Sequence, residues 1–283
     1  MTARPQKVIR RLTLTSGAWI LAVAGLAWWW MYSAGHAPAM AGHRAVPGME
    51  DHSMPGMAGH HMPGAPEQPL MTLPEAEMFL AMWAGMVIAM MLPVAVPLVA
   101  AHRFVTRTRG RSGRTDTALF IGGYLLIWTA SGIVPLLLVT LKRWLLPIAP
   151  DSPWAVSGAG AVIVVAGVFQ FSGLKTRCLT VCRSPLSFVM THDFAAGRLG
   201  TLRAGALNGL YCLGCCWALM LVQVAVGLHN MIWMGALTLL FLAERALRAG
   251  RRVAVLTGTL MIVLGVALVL DPMVHTPLAG MVG

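Results

Sequence analysis

Three cysteines lie within five positions of one apolar segment, residues 205–220, which reads GALNGLYCLGCCWALM. Cys215 and Cys216 follow Cys212 by three and four residues, so on a helix the three side chains project from one face. Met220 lies one turn further along the same face. Thiolates and thioethers are soft donors that suit Cu(I), and this spacing predicts a trigonal or tetrahedral soft-metal site. The alternative interpretation is that the cysteines serve as small apolar residues in helix packing.

A second cysteine pair and a series of methionines supply further soft donors. Cys178 and Cys182 are four residues apart, a spacing that places both thiols on one helix face. Two thiolates suffice for Cu(I), whereas a structural zinc site takes four ligands. A helical stripe of thioethers is predicted where methionine recurs every four residues, although methionine is also a common core filler. The stripe comprises Met78, Met82, Met86 and Met90, with Met91 beside the last.

Residues 33–70 form the one long hydrophilic stretch and are rich in Gly, Pro, His and Met. Such a composition cannot build a packed core. Imidazole and thioether donors together favour copper, so the stretch is interpreted as a copper-capture segment. A flexible spacer with incidental histidines is the alternative. The predicted ligands are His52, Met54, Met57, His60 and His61.

The elements that must position these donors are membrane helices. The chain is 57% hydrophobic and 11% charged, with a mean hydropathy of +0.72, which is the composition of a membrane protein. The net charge of +11 does not indicate nucleic acid, because the basic residues cluster between apolar segments without stacking aromatics. We therefore expect an all-α, polytopic bundle with about seven transmembrane helices, at about residues 12–32, 75–101, 117–141, 154–173, 204–227, 231–247 and 253–270.

The basic residues also predict an orientation. A cytoplasmic N-terminus places 18 of the 21 lysines and arginines on the inside, as the positive-inside rule requires. The first span is interpreted as a retained anchor with an aromatic belt, Trp28–Trp30, rather than a cleavable signal peptide. The predicted organisation is an N-terminal transmembrane anchor (1–33), a His/Met-rich periplasmic loop (34–72), a six-helix metal-binding membrane core (73–271) and a short periplasmic tail (272–283).

Two positional expectations follow from this threading. Cys216 and Met220 should face Met90 or Met91 across a helix seam, with Cys178 and Cys182 nearer the cytoplasm. Carboxylates inside a membrane can mark ion pathways. However, the three near the predicted span ends are interpreted as solvated caps; they are Glu75, Glu77 and Glu244.

Three motifs occur in order along the chain: WAGMVIAMMLP (Trp83–Pro93), QFSGLKTRCLTVCRSP (Gln170–Pro185) and CLGCCW within Gly205–Met220, followed by Glu244–Arg245. Over about residues 75–250 the chain resembles the bacterial family of predicted metal-binding integral membrane proteins, a domain of unknown function. The His/Met stretch is not part of the matching motifs. The resemblance points to Met86, Met90, Met91, Lys175, Cys178, Cys182, Cys212, Cys215, Cys216 and Met220.

The resulting hypothesis is a multi-pass protein of the bacterial inner (cytoplasmic) membrane that binds Cu(I) for transport or as a membrane metallochaperone. Capture by His and Met lies outside, and Cys ligands lie toward the cytoplasm; other soft or borderline metals (Ni, Zn, Hg) stay open. No Walker-type loop couples the chain to ATP. Expected partners are the lipid bilayer, the metal ion and a periplasmic or cytoplasmic copper chaperone, but no nucleic acid.

Two alternatives to this hypothesis remain. One is a membrane thiol–disulfide exchange protein that uses the Cys212/Cys215 pair, since C-x-x-C thiols are often reactive. The other is a non-transporting assembly factor for a copper enzyme. The leading hypothesis needs no catalytic residue, so the chain is expected not to be an enzyme.

Overall fold

The computed structural model describes residues 3–35, 71–108, 114–145, 153–191, 197–226 and 230–270. Nearly all of these residues are helical, which confirms the all-α prediction for the described part of the chain. Its helices are α1 (Ala3–Gly35), α2 (Leu73–Thr108), α3 (Arg114–Ala130), α4 (Ile133–Leu145), α5 (Pro153–Phe169), α6 (Gly173–Cys182), α7 (Pro185–Thr191), α8 (Gly197–Val226), α9 (Met231–Ala246) and α10 (Gly250–Leu270).

Within the described residues, four helical segments are long and apolar enough to cross a membrane. They are Leu73–Thr108, Arg114–Trp144, Gly197–Ala225 and Gly250–Leu270. A fifth candidate is the pair Val156–Phe169 and Gly173–Cys182, which is bent by 67°. These segments coincide with the predicted second, third, fifth, seventh and fourth spans. They identify a membrane-type protein, while the count of seven spans stays a prediction.

Helix α2 continues through two prolines as one element. A proline removes the N–H that would bond to the carbonyl four residues earlier, which for Pro93 is the carbonyl of Ala89. Trp28 of α1 donates its indole N–H to this carbonyl at 3.2 Å. The first helix thus supplies a hydrogen bond that the sequence of α2 leaves open, and α1 and α2 pack along one another.

Helices α3 and α8 approach each other closely because both present glycine at their contact. Gly123 lies against the Leu202 carbonyl, and Gly205 lies against the Phe120 carbonyl, so a Cβ at either glycine would collide with backbone. Small residues are what permit such approach between membrane helices. Since Gly209 lies against the Tyr124 carbonyl, further along both helices, α3 and α8 run in the same direction.

Residues 174–203 join the predicted fourth and fifth spans, and their described parts, 174–191 and 197–203, are mostly helical. Ser172 caps α6 by accepting a hydrogen bond from the Lys175 amide at 3.1 Å, and Pro185 begins α7, where its missing N–H is not needed. Helix α6 packs against α8, which brings Lys175 and Cys178 into the protein interior. Helix α6 therefore contributes to the core rather than forming a solvated connection.

Candidate metal centre

The thiols of α8 point into the protein. Cys212, Cys215 and Cys216 are at most 2% exposed, as expected for a face that meets other helices rather than lipid. The thiols of Cys215 and Cys216 donate to the carbonyl of Cys212 at 3.1 and 2.8 Å. These local bonds hold both sulfurs beside Cys212, whose own sulfur is left to contact other helices.

The Cys212 sulfur is contacted from two neighbouring helices. Arg245, in the last turn of α9, donates to it at 2.7 Å and lies 3.5 Å from the Cys215 sulfur. The hydroxyl of Tyr124 on α3 lies 3.1 Å from the Cys212 sulfur. Guanidinium is a donor with no acceptor atom, so Cys212 is the acceptor in the contact with Arg245.

Helix α6 adds its cysteines to the same region. The half-buried Cys182 packs against the core cluster that contains Cys212, Cys215 and Cys216. We call Cys182, Cys212, Cys215 and Cys216 the thiol cluster. Cys178 of α6 packs against α8 beside the thiol cluster. It occupies space next to Gly214, which has no side chain.

The thiol cluster is not arranged around a metal position. In the part of the chain that the structure describes, no three His, Cys, Asp or Glu side chains are placed as ligands of one ion. Two of the thiols bond to backbone and a third bonds to Arg245. Their donor chemistry suits a soft cation, but binding one would require Cys215 and Cys216 to rotate away from the Cys212 carbonyl.

The predicted methionine stripe becomes buried along its length. Met78 is 64% exposed, whereas Met82, Met86, Met90 and Met91 are at most 2% exposed. These four methionines belong to the same core cluster as Cys178, Met220 and the three cysteines of α8. Tyr124 joins the two groups, because its hydroxyl donates to the Met91 carbonyl at 3.5 Å and also contacts Cys212. Tyr124 thus connects the methionine stripe of α2 to the cysteines of α8.

Two further buried methionines were missed by sequence reasoning. Met31 on α1 and Met234 on α9 are both inaccessible to solvent and lie in the same core cluster. Neither belongs to the four-residue series on α2, so no spacing connected them to it. The sulfur-rich core therefore draws on more helices than α2, α6 and α8.

The interpretation of Glu244 as a solvated cap was wrong. Its carboxylate is 2.7 Å from the Lys175 ammonium, and the two side chains are 2% and 1% exposed. Gln170 donates to the second carboxylate oxygen at 3.2 Å. The reason is that α6 carries Lys175 inward and supplies the partner that a buried carboxylate needs. Glu75 and Glu77, by contrast, are exposed, as predicted.

Sequence reasoning also missed Arg245 as part of the site. It had been noted only in the Glu244–Arg245 pair that follows the three motifs and as one of the basic residues that predict orientation. The available signal was its position directly after Glu244, at the end of an apolar segment. The predicted outer ligands His52, Met54, Met57, His60 and His61 lie outside the described residues.

A family model described as PpoB2, copper chaperone, matches residues 80–268. The matched range begins just before Met82 and contains the thiol cluster, Tyr124, Arg245 and the Lys175–Glu244 pair. It also contains the three motif segments that suggested a metal-binding family. The chain has no significant match among curated proteins or among solved structures.

Proposed function

The chain belongs to the copper chaperone family PpoB2, and we propose that it is a membrane-embedded chaperone that holds Cu(I) at the thiol cluster. One observation carries this proposal. The three thiols of α8 share one core cluster with the buried methionines of α2, and the half-buried Cys182 packs against this cluster. A core built only for packing gains nothing from placing so many soft donors together, whereas Cu(I) prefers them to harder ligands.

The charge of Arg245 fits this cargo. Two thiolates and one Cu(I) ion carry a net charge of minus one, which a low-dielectric interior does not tolerate without compensation. The guanidinium already lies against Cys212 and near Cys215. A bound copper–dithiolate unit beside Arg245 would therefore be neutral overall.

The methionine stripe suggests how copper reaches the cluster. It leads from the exposed Met78, at the start of α2, to the buried Met91. The Tyr124 hydroxyl contacts both the Met91 carbonyl and the Cys212 sulfur. Thioethers carry no proton to lose, so they can pass a soft cation on without a change of charge. In the proposal, the His/Met-rich residues 34–72 capture copper outside, and the thiol cluster receives it in the cytoplasmic half of the membrane.

Thiol–disulfide exchange at the Cys212/Cys215 pair remains the second candidate, because Cys182, a thiol of a different helix, packs against the core cluster that contains both. Exchange requires a partner disulfide to reach the attacking sulfur. Cys212 and Cys215 are at most 2% exposed, which favours a small cation over a protein disulfide as the reactant. Delivery of copper to an enzyme under assembly would use the same ligands as transport.

Replacement of the central ligand tests the proposal. Cys212→Ala should lower Cu(I) affinity by more than tenfold, in line with the ~10–100-fold effect of losing even an outer partner of a metal ligand. The measurement is competition with a chromophoric Cu(I) chelator on purified protein in detergent. Val222→Ala is the matched control, since Val222 is equally buried on α8 but offers no donor.

A variant that lacks residues 34–72 separates capture from storage. It should keep the high-affinity Cu(I) site of the full chain while taking up copper more slowly in cells. Wild-type affinity in both Cys212→Ala and Cys215→Ala would remove the thiol cluster as the copper site.

A further inference from the structure

A basic cavity lies between the bend that joins α5 to α6 and the helix α10. It has a volume of about 250 Å³, and its polar lining includes Gln170, Lys175, Arg183 and Arg251. A wider cleft of about 730 Å³ continues from it, sharing Arg251 and adding Arg248 and Arg252. We call the two together the basic cleft.

The basic cleft carries uncompensated positive charge. Glu244 lies beside it, but its carboxylate is already paired with Lys175. Among the described residues, no ion pair joins a carboxylate to Arg248, Arg251 or Arg252. Arg183 donates to the Leu247 and Arg248 carbonyls at 2.6 and 3.1 Å, which fixes its side chain at the rim and leaves its charge in place.

An apolar wall begins where these arginines end. Val255 and Leu256 line the cleft, and Leu260 and Val263 continue the exposed surface along α10. Only 28% of the apolar window of this candidate span is buried in the protein. The cleft therefore places cationic groups at the end of a candidate span, next to an exposed apolar surface. An anionic lipid has the matching arrangement, with a charged headgroup next to its acyl chains.

We propose that the basic cleft binds the headgroup of an anionic phospholipid whose acyl chains lie along α10. Arginine pairs well with phosphate oxygens through two parallel hydrogen bonds, and basic pockets between membrane helices bind anionic headgroups. Free phosphate would use the charges but leave the apolar wall uncovered.

Gln170 favours a headgroup that carries hydroxyl groups. Its side-chain oxygen is buried, and within the described residues it has no hydrogen-bond donor, although Gln170 lines the cavity. A glycerol headgroup offers such a donor next to its phosphodiester. Phosphatidylglycerol is therefore the lipid that matches both the arginines and Gln170.

Lipid binding to the purified full-length protein tests the assignment. The measurement is native mass spectrometry after exchange into phosphatidylglycerol or phosphatidylcholine at one ionic strength. Wild-type protein should retain phosphatidylglycerol preferentially. Arg251→Ala/Arg252→Ala should weaken its binding about 30-fold, which corresponds to about five- to sixfold for each arginine near the surface. The matched control is Arg198→Ala/Arg203→Ala, which removes two exposed arginines from α8, outside the cleft.

Three outcomes would overturn the proposal. They are equal retention of the two lipids by the wild-type protein, an equal loss in the control variant, and full displacement of phosphatidylglycerol by inorganic phosphate at the same ionic strength. The last would indicate a site for soluble anions.

Arg251→Lys/Arg252→Lys is the variant to use if the alanine variant does not fold. It keeps the positive charge and should bind phosphatidylglycerol with intermediate affinity. Cu(I) affinity should be unchanged in these variants, so the result is independent of the proposed copper function.

Discussion

Arg245 is the residue whose position most changes the interpretation of the cysteines. Its guanidinium contacts the sulfur of Cys212 at 2.7 Å. The Tyr124 hydroxyl contacts the same sulfur. An incoming cation must compete with this charge for the thiol. Once bound between two thiolates, however, the cation gains a compensating charge that the apolar surroundings cannot supply.

Arg245→Met should therefore lower Cu(I) affinity by about 10–100-fold, the usual range for a residue that supports metal ligands. Arg245→Lys keeps the positive charge and should recover much of the loss. Chelator competition measures both affinities, and a change in the Cu(I)–thiolate ultraviolet absorption would distinguish an altered site from a general loss of fold. Arg248→Met is the control, because Arg248 lies three residues further along and outside the thiol cluster.

An unchanged Cu(I) affinity in Arg245→Met would mean that charge compensation plays no part in binding.

The sequence could predict which thiols share one helix face, but not that Arg245 lies against them. Cys212 and Cys216 were recognisable because i, i+4 spacing is a local property of one helix. The contact between Arg245 and Cys212 joins residues 33 positions apart and depends on how α8 and α9 pack.

At the scale of elements, the glycines of α8 determine which helix lies against the cysteine face. The neighbouring helix is α3, through Gly123 and Gly205. Tyr124 of α3 in turn contacts the Met91 carbonyl of α2 and the Cys212 sulfur. Small residues on one helix mark a surface that a neighbour can approach closely, but which neighbour does so depends on glycines in both helices.

Gly123→Ala should destabilise the protein by about 1–3 kcal/mol, because the added methyl group collides with the Leu202 backbone and overpacked interfaces cost this much. Gly122→Ala is a matched control on the neighbouring position, where a Cβ has nothing within 4 Å. It should be neutral or slightly stabilising, since alanine is the better helix former. Thermal unfolding in detergent compares the two variants. Equal stability of both would show that the α3–α8 contact is looser than described.

The packing of the short helices α6 and α7 could not be predicted from the sequence. Residues 174–203 lie between the predicted fourth and fifth spans, because five basic residues interrupt the apolar pattern there. Two of these charges are taken up by specific partners, Lys175 by Glu244 and Arg183 by carbonyls after α9. Those partners are more than 60 residues away in the chain, so a local window could not identify them.

At the scale of the whole molecule, the helix directions agree with a chain that crosses the membrane alternately. Helices α3 and α8, which contain the predicted third and fifth spans, run in the same direction. Arg143 and Glu75 meet at 3.4 Å where α4 ends and α2 begins, so two predicted outer segments lie side by side. Which end faces the cytoplasm remains the prediction made from the basic residues.

Reporter fusions test that orientation. An enzyme reporter that is active only outside the cytoplasm should be active after Gly64 and inactive after Gly110. The reason is that arginines on both sides of Gly110 favour retention inside. A fusion after Asn230, in the short turn before α9, should be active and serves as the internal control. The reverse pattern at all three positions would invert the proposed route of copper.

The Lys175–Glu244 pair also constrains the order in which the protein is made. The two residues are 69 positions apart, so at about 5–20 residues per second Lys175 is synthesised roughly 3–14 s before its partner. During that interval its ammonium cannot be buried without a large desolvation penalty, and α6 must wait at the membrane surface. Since Arg245 directly follows Glu244, the same event that allows α6 to dock also brings the guanidinium to Cys212. The surroundings of the thiol cluster are thus complete only after α9 has been synthesised, so a partly made protein does not present the proposed copper site in its final form.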